Sequence, residues 1–155
     1  MAPRRIKRNK LQENLYKELT NKNECGICDT YKDVFMTAGL IGFLEGKREH
    51  FEEAAEGIAW SVFNLETDLA LFNAVALYET KDPKILINDD DEIFDKKATI
   101  FEEYASGGLP ILYEKVMEYK RSASENYFDL IMEMENKKPE LERTYDDIMD
   151  NLSQF

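Results

Sequence analysis

The sequence is poor in the residues from which most catalytic and metal sites are built. Among 155 residues there is one histidine, His50, and there are two cysteines, Cys25 and Cys28. Two cysteines are too few for a disulfide framework. A Ser-His-Asp triad would have to use His50, and no Gly-x-Ser-x-Gly elbow accompanies it, so His50 reads as an ordinary loop histidine. No apolar run approaches the ~20 residues that span a bilayer. The charged start of the chain is followed by no apolar segment, which argues against a signal peptide and for a cytoplasmic protein.

Positive charge is also scarce. Twenty Lys and Arg face 32 Asp and Glu, for a net charge of −12. Five of the cations, Arg4, Arg5, Lys7, Arg8 and Lys10, fall in residues 1–10, which hold no acid; the remainder carries 15 bases against 32 acids. A basic arm thus precedes an acidic body. Such a body repels duplex DNA, whose affinity for proteins comes from cations that displace counterions from phosphates. An acidic surface attracts a basic protein surface or mimics phosphate charge; in its plainest role it keeps the chain soluble. The arm itself, with like charges and little apolar content, is expected to be loosely held. Arg4, Arg5, Lys7, Arg8 and Lys10, with Lys47 and Arg48, are the candidate nucleic-acid contacts, for weak and salt-sensitive binding.

Several chemical motifs come close and fail. Cys25-Gly-Ile-Cys28 has the spacing of half a zinc site or of a redox pair. A closed zinc site needs four ligands, and only His50 remains among the good nitrogen and sulfur donors. Glu24 and Asp29 flank the pair and disfavour a thiolate. Gly42-Phe-Leu-Glu-Gly-Lys47 has three residues between its glycines where a Walker A loop has four, and Arg48 in place of Ser or Thr. Asp89, Asp91 and Asp95 suggest a calcium loop, but Phe94 replaces its glycine and Ile100 its bidentate Glu. No catalytic residue, cofactor or metal is expected. A metal-dependent nuclease or hydrolase would require scattered acids to converge on Mg²⁺.

What is present is helical periodicity, and it predicts an all-α single domain, a compact bundle of about five to seven helices. Leu11, Leu15 and Leu19 recur every fourth residue in a first helix. Thr30, with Asp33 three residues on, is a good N-cap, followed by the stripe Val34, Phe35, Ala38, Ile41 and Gly42 and a stop at Gly46. Residues 47–59 read as an irregular connection. Leu65, Leu69, Phe72 and Val75 with Ala74 and Ala76 predict the next helix, apolar enough to be central, ended by Asp82-Pro83.

Asn88 to Glu92 place acids in the first turn of a further helix whose buried face is Phe94, Ala98, Phe101 and Ala105. Gly107-Gly108 reads as its end, and Leu109, Leu112 and Val116 as another helix with Pro110 in its first turn. The aromatic set, including Trp60, Phe63, Phe72, Phe94 and Phe101, is expected in the core. Tyr127, Leu130, Ile131 and Met134 predict one more short helix. Leu141, Tyr145, Ile148 and Leu152, at i, i+4, i+7 and i+11, form an apolar stripe that requires a partner, in this chain or another, and are the candidate protein-binding residues. The organisation is therefore residues 1–10 as the basic arm, 11–121 as the helical domain and 122–155 as an acidic helical extension.

Tyr31-Lys-Asp-Val-Phe35, Gly42-Phe43, Gly46-Lys-Arg48, Ile58-Ala-Trp60, Ala74-Val-Ala-Leu77 with Glu79-Thr80 and Asp82, and Ile100-Phe-Glu-Glu-Tyr-Ala105 with Gly108-Leu109, in that order, resemble the small family of proteins associated with bacterial DNA phosphorothioation, the Dnd system. The resemblance covers roughly residues 5–118. It implies a setting of DNA modification, restriction and antiphage defence, and it brings no catalytic motif. The CxxC and the acidic tail from Ser122 onward lie outside the shared pattern. The expected function is a non-enzymatic accessory protein that binds another protein, with a DNA-binding or regulatory module as the alternative.

Overall fold

The computed structural model describes residues 4–21, 27–87, 90–118, 122–137 and 139. These contain six α-helices, numbered in chain order: α1 Glu13–Thr20, α2 Tyr31–Glu45, α3 Asp68–Thr80, α4 Lys84–Ile87, α5 Asp91–Val116 and α6 Ala123–Glu135. Single 3-10 turns lie at Lys10–Gln12 and Trp60–Val62, and no strand occurs among the described residues. The all-α expectation holds.

The helix starts follow local chemistry. Thr30 accepts the Asp33 amide at 3.2 Å, Asp90 accepts the Ile93 amide at 2.8 Å, and Ser122 accepts the Glu125 amide at 3.2 Å. Each satisfies a donor that the first helical turn leaves open. Gly46 ends α2 with φ at 65°, a backbone region that glycine enters without penalty.

The predicted central helix is not α3 but α5, which runs 26 residues straight through Gly107-Gly108 and Pro110. The two glycines do not stop the helix; they let it touch its neighbours. A Cβ on Gly108 would overlap the Ala38 carbonyl and the Gly42 backbone of α2, and one on Gly107 would overlap the Lys47 carbonyl. Here α2 and α5 pack backbone to backbone, the most extensive helix contact in the fold.

Pro110 has no N–H for the Ser106 carbonyl one turn back. Gln12 supplies the missing donor, its Nε2 lying 2.7 Å from that oxygen, while Asn9 Nδ2 reaches the Ser106 hydroxyl at 3.0 Å. Gln12 Oε1 is buried without a partner, so the side chain sits there for the bond it donates. Gln12→Ala should lower stability by about 1 kcal/mol. The loss should shrink in a Pro110→Ala background, where an amide at position 110 serves the same carbonyl. Denaturant melts of the two single variants and the double variant measure this coupling.

The core lies where α2, α3 and α5 meet. Phe35, Phe72 and Phe101 are fully buried, with Phe72 and Phe101 stacked at 4.5 Å between ring centroids, and Trp60 packs against Phe63, Phe72 and Phe94. The expected aromatic core is present. Two leucines counted in the expected helices lie outside them. Leu11 is 91% exposed because it lies in the 3-10 turn before α1, and its place is taken by Tyr16, which is buried with Leu19. Leu65 is 62% exposed because α3 begins only at Asp68. α6 packs Leu130, Tyr127 and Met134 against the core. No helix of the described residues is long and apolar enough to cross a membrane.

Candidate functional site

The basic arm is built into the fold, which corrects the expectation that it is loosely held. Ile6 is fully buried and exchanges two backbone hydrogen bonds with Ile58, each 2.8 Å. Lys10 donates its amide to the Glu53 carbonyl at 3.0 Å, and Ala55 to that of Arg8 at 2.8 Å. The connection at 47–59 thus finds its pairing partner in the arm.

The charges of the arm are largely spent on these contacts. Arg4 grips the buried Glu102 with two nitrogens at 2.7 and 2.9 Å and reaches Asp95 at 2.6 Å, while the Lys7 amide donates to Glu102 at 2.6 Å. Arg8 is only 3% exposed: its guanidinium lies 4.7 Å from the Tyr16 ring and 4.6 Å from that of Tyr31, pairs with Glu13 at 2.8 Å and donates to the Glu56 carbonyl. Arg5 bonds the Gly57 carbonyl, and Lys10 meets Glu53 at 3.4 Å on the surface. Lys7 and Lys47 are exposed.

Arg48 is the centre of a second polar cluster. It pairs with Glu79 and with Glu103, each at 2.8 Å, and Glu79 also accepts from Tyr104 at 2.6 Å. His50 bonds Glu103 at 2.8 Å and meets Glu52 at 3.3 Å. The bond to Glu103, together with the charge of Glu52, raises the His50 pKa above its ordinary 6.5. Partial burial pushes Glu103 upward, but the hydrogen bonds from His50 and Arg48 outweigh it and hold the carboxylate below 4.5. His50 therefore adds stability below about pH 6.5 that is lost as pH rises through its raised value. Glu103 adds stability above about pH 4.5 that is lost as pH falls through its lowered value. The cluster should be strongest between these limits. His50→Gln should flatten the upper edge in melts taken across pH, by a small amount because the ring is exposed.

Two clefts border these clusters. One, of about 500 Å³, is lined by Arg5, Arg8, Tyr31, Lys32, Asp33 and Glu56 among others. In it Arg8 is engaged as described and Lys32 is held by Asp68 at 2.9 Å. The other, of about 630 Å³, is lined in part by Arg48, Glu79, Glu92, Asp95, Lys96 and Thr99, and its arginine is matched by Glu79 and Glu103. Among the described residues no group of three His, Cys, Asp or Glu side chains stands together as a metal site. Cys28 is buried; Cys25 lies outside the described residues. Leu141, Tyr145, Ile148 and Leu152 lie outside them as well.

The feature that sequence reading missed is the outer face of α6. Phe128 is 64% exposed, Met132 48% and Ile131 38%. They stand at i, i+4 and i+3; Phe128 and Met132 lie away from Leu130, Tyr127 and Met134, while Ile131, four residues after Tyr127, lies at the border of the two faces. Glu125, Asp129 and Glu133, also four apart, form the adjoining row. The available signal was a second i, i+4 apolar pair on a helix whose only charged residues are acids.

A family model described as DNA sulphur modification system-associated protein 4 matches residues 5–150. The chain belongs to that family. The match bears out the resemblance and extends its span: Cys25 to Cys28, α6 and most of the acidic tail fall within the matched residues. Comparison with curated proteins and with solved structures gives no match. The family is associated with a DNA sulphur modification system, which sets the chain in that context.

Proposed function

We propose that the chain is a non-enzymatic accessory protein of a bacterial DNA phosphorothioation and restriction system, active in antiphage defence, and that it works by binding another protein of that system. The observation that carries this reading is α6: one side is docked on the core, yet Phe128 and Met132 stand in solvent on the other, with the partly exposed Ile131 at the border. Contiguous exposed apolar residues rimmed by charge mark protein interaction sites. The stripe Leu141, Tyr145, Ile148 and Leu152, outside the described residues, is the second protein-binding candidate. The DNA-binding alternative is weakened because Arg4, Arg8 and Arg48 are already held by carboxylates.

Co-expression with the modification and restriction proteins of the system should yield a complex that co-elutes at fixed stoichiometry. The isolated chain should turn over neither ATP nor DNA in the presence of Mg²⁺. Turnover that follows the chain through purification and disappears with Asp95→Asn would overturn the reading.

A further inference from the structure

We propose that the outer face of α6 is a docking site for a basic amphipathic helix of a partner protein. This inference rests on the accessory, protein-binding role and gives the chemistry of the partner. The helix is 13 residues, about 20 Å long, enough to lie along a partner helix of three to four turns. Phe128, Ile131 and Met132 supply the apolar row that a helix laid against it would cover with residues at i, i+3 and i+4. Phenylalanine and methionine suit such a surface, since both give large contact area and the thioether adapts to irregular shapes.

Charge selects the occupant. Between Ala123 and Glu135 the helix carries Glu125, Asp129, Glu133 and Glu135 and no Lys or Arg. Lys137, just beyond it, is bound to Glu45, with Glu133 more distant at 3.8 Å. An anionic membrane surface or a nucleic acid would be repelled by this row. A second copy would set one acidic row against another, in a chain of net charge −12. The chain's own residues 140–155 hold Glu140, Glu142, Asp146, Asp147 and Asp150 against Arg143 alone, the same mismatch. A partner helix with Lys or Arg beside its apolar stripe meets both rows at once, which steers association and fixes register.

The test uses the full chain and three labelled peptides of 14 residues: one with Leu at i, i+3 and i+4 spacing and Lys elsewhere, one with Glu in place of Lys, and a scrambled Leu/Lys peptide without the stripe. Anisotropy titrations should show saturable binding of the first peptide only. Affinity should fall at least tenfold in the double variant Phe128→Ser, Met132→Ser, and severalfold when salt is raised from about 50 to about 500 mM. Equal binding of the Glu or scrambled peptide overturns the proposal, as does affinity untouched by the double variant, since the peptide then sits elsewhere on the acidic surface. Absence of binding also overturns it. In that case a lower melting temperature of the variant assigns the face to the chain's own C-terminal residues, and a dimer mass lost in the variant assigns it to a second copy. Co-elution with the system's proteins is scored separately. If it survives the double variant, the accessory role stands and this surface fails. If the wild-type chain never co-elutes but binds the peptide, the surface stands and the accessory role fails.

Discussion

Gly108→Ala should lower the melting temperature by about 6–12 °C, the shift expected in a chain of this size for a loss of about 3 kcal/mol. Helix propensity alone predicts the opposite sign, because alanine is favoured over glycine inside a helix by about 1 kcal/mol. Packing decides. The added carbon has no side chain to displace, since it meets the Ala38 carbonyl and the Gly42 backbone. The α2–α5 contact must therefore open, and the Phe35 and Phe101 rings that pack across it lose their fit. A thermal melt of this single variant separates the two effects by sign.

The second large effect is at the arm. Arg4→Met leaves Glu102, 4% exposed, with the Lys7 amide as its remaining partner. Breaking a buried pair by removing one member costs several kcal/mol; about 3 is expected here, the low end, because Arg4 is itself about a quarter exposed. Adding Glu102→Gln to Arg4→Met should recover much of the loss, since the uncompensated charge is gone. Equal stability of the wild type and Arg4→Met, measured in urea, would mean that the arm's hold on Glu102 does not stabilise the fold.

Local chemistry was legible in the sequence where a single residue decides it. Thr30 caps α2, Gly46 ends it, and Val34, Phe35, Ala38, Ile41 and Gly42 are its buried stripe. The errors came where distant residues decide. Gly107-Gly108 and Pro110 look like a helix end because the α2 backbone and Gln12, which make them compatible with a helix, are far away in the chain. The basic run at residues 4–10 looks like a free arm because its partners Glu102, Glu56 and Ile58 lie about 50 to 100 residues on. At the candidate site, periodicity found α6 but assigned it one face; that Phe128 and Met132 form a second emerged only once Leu130 and Tyr127 were seen to occupy the inner side.

The central claim is that the chain acts by binding a protein through α6. Hydrogen exchange tests it most directly, comparing the chain alone with the chain in complex with the modification or restriction protein it co-elutes with. Exchange should slow in residues 123–135 and stay nearly constant in residues 4–10 and 47–50. Slowing confined to those two basic segments, with α6 unchanged, would contradict the account.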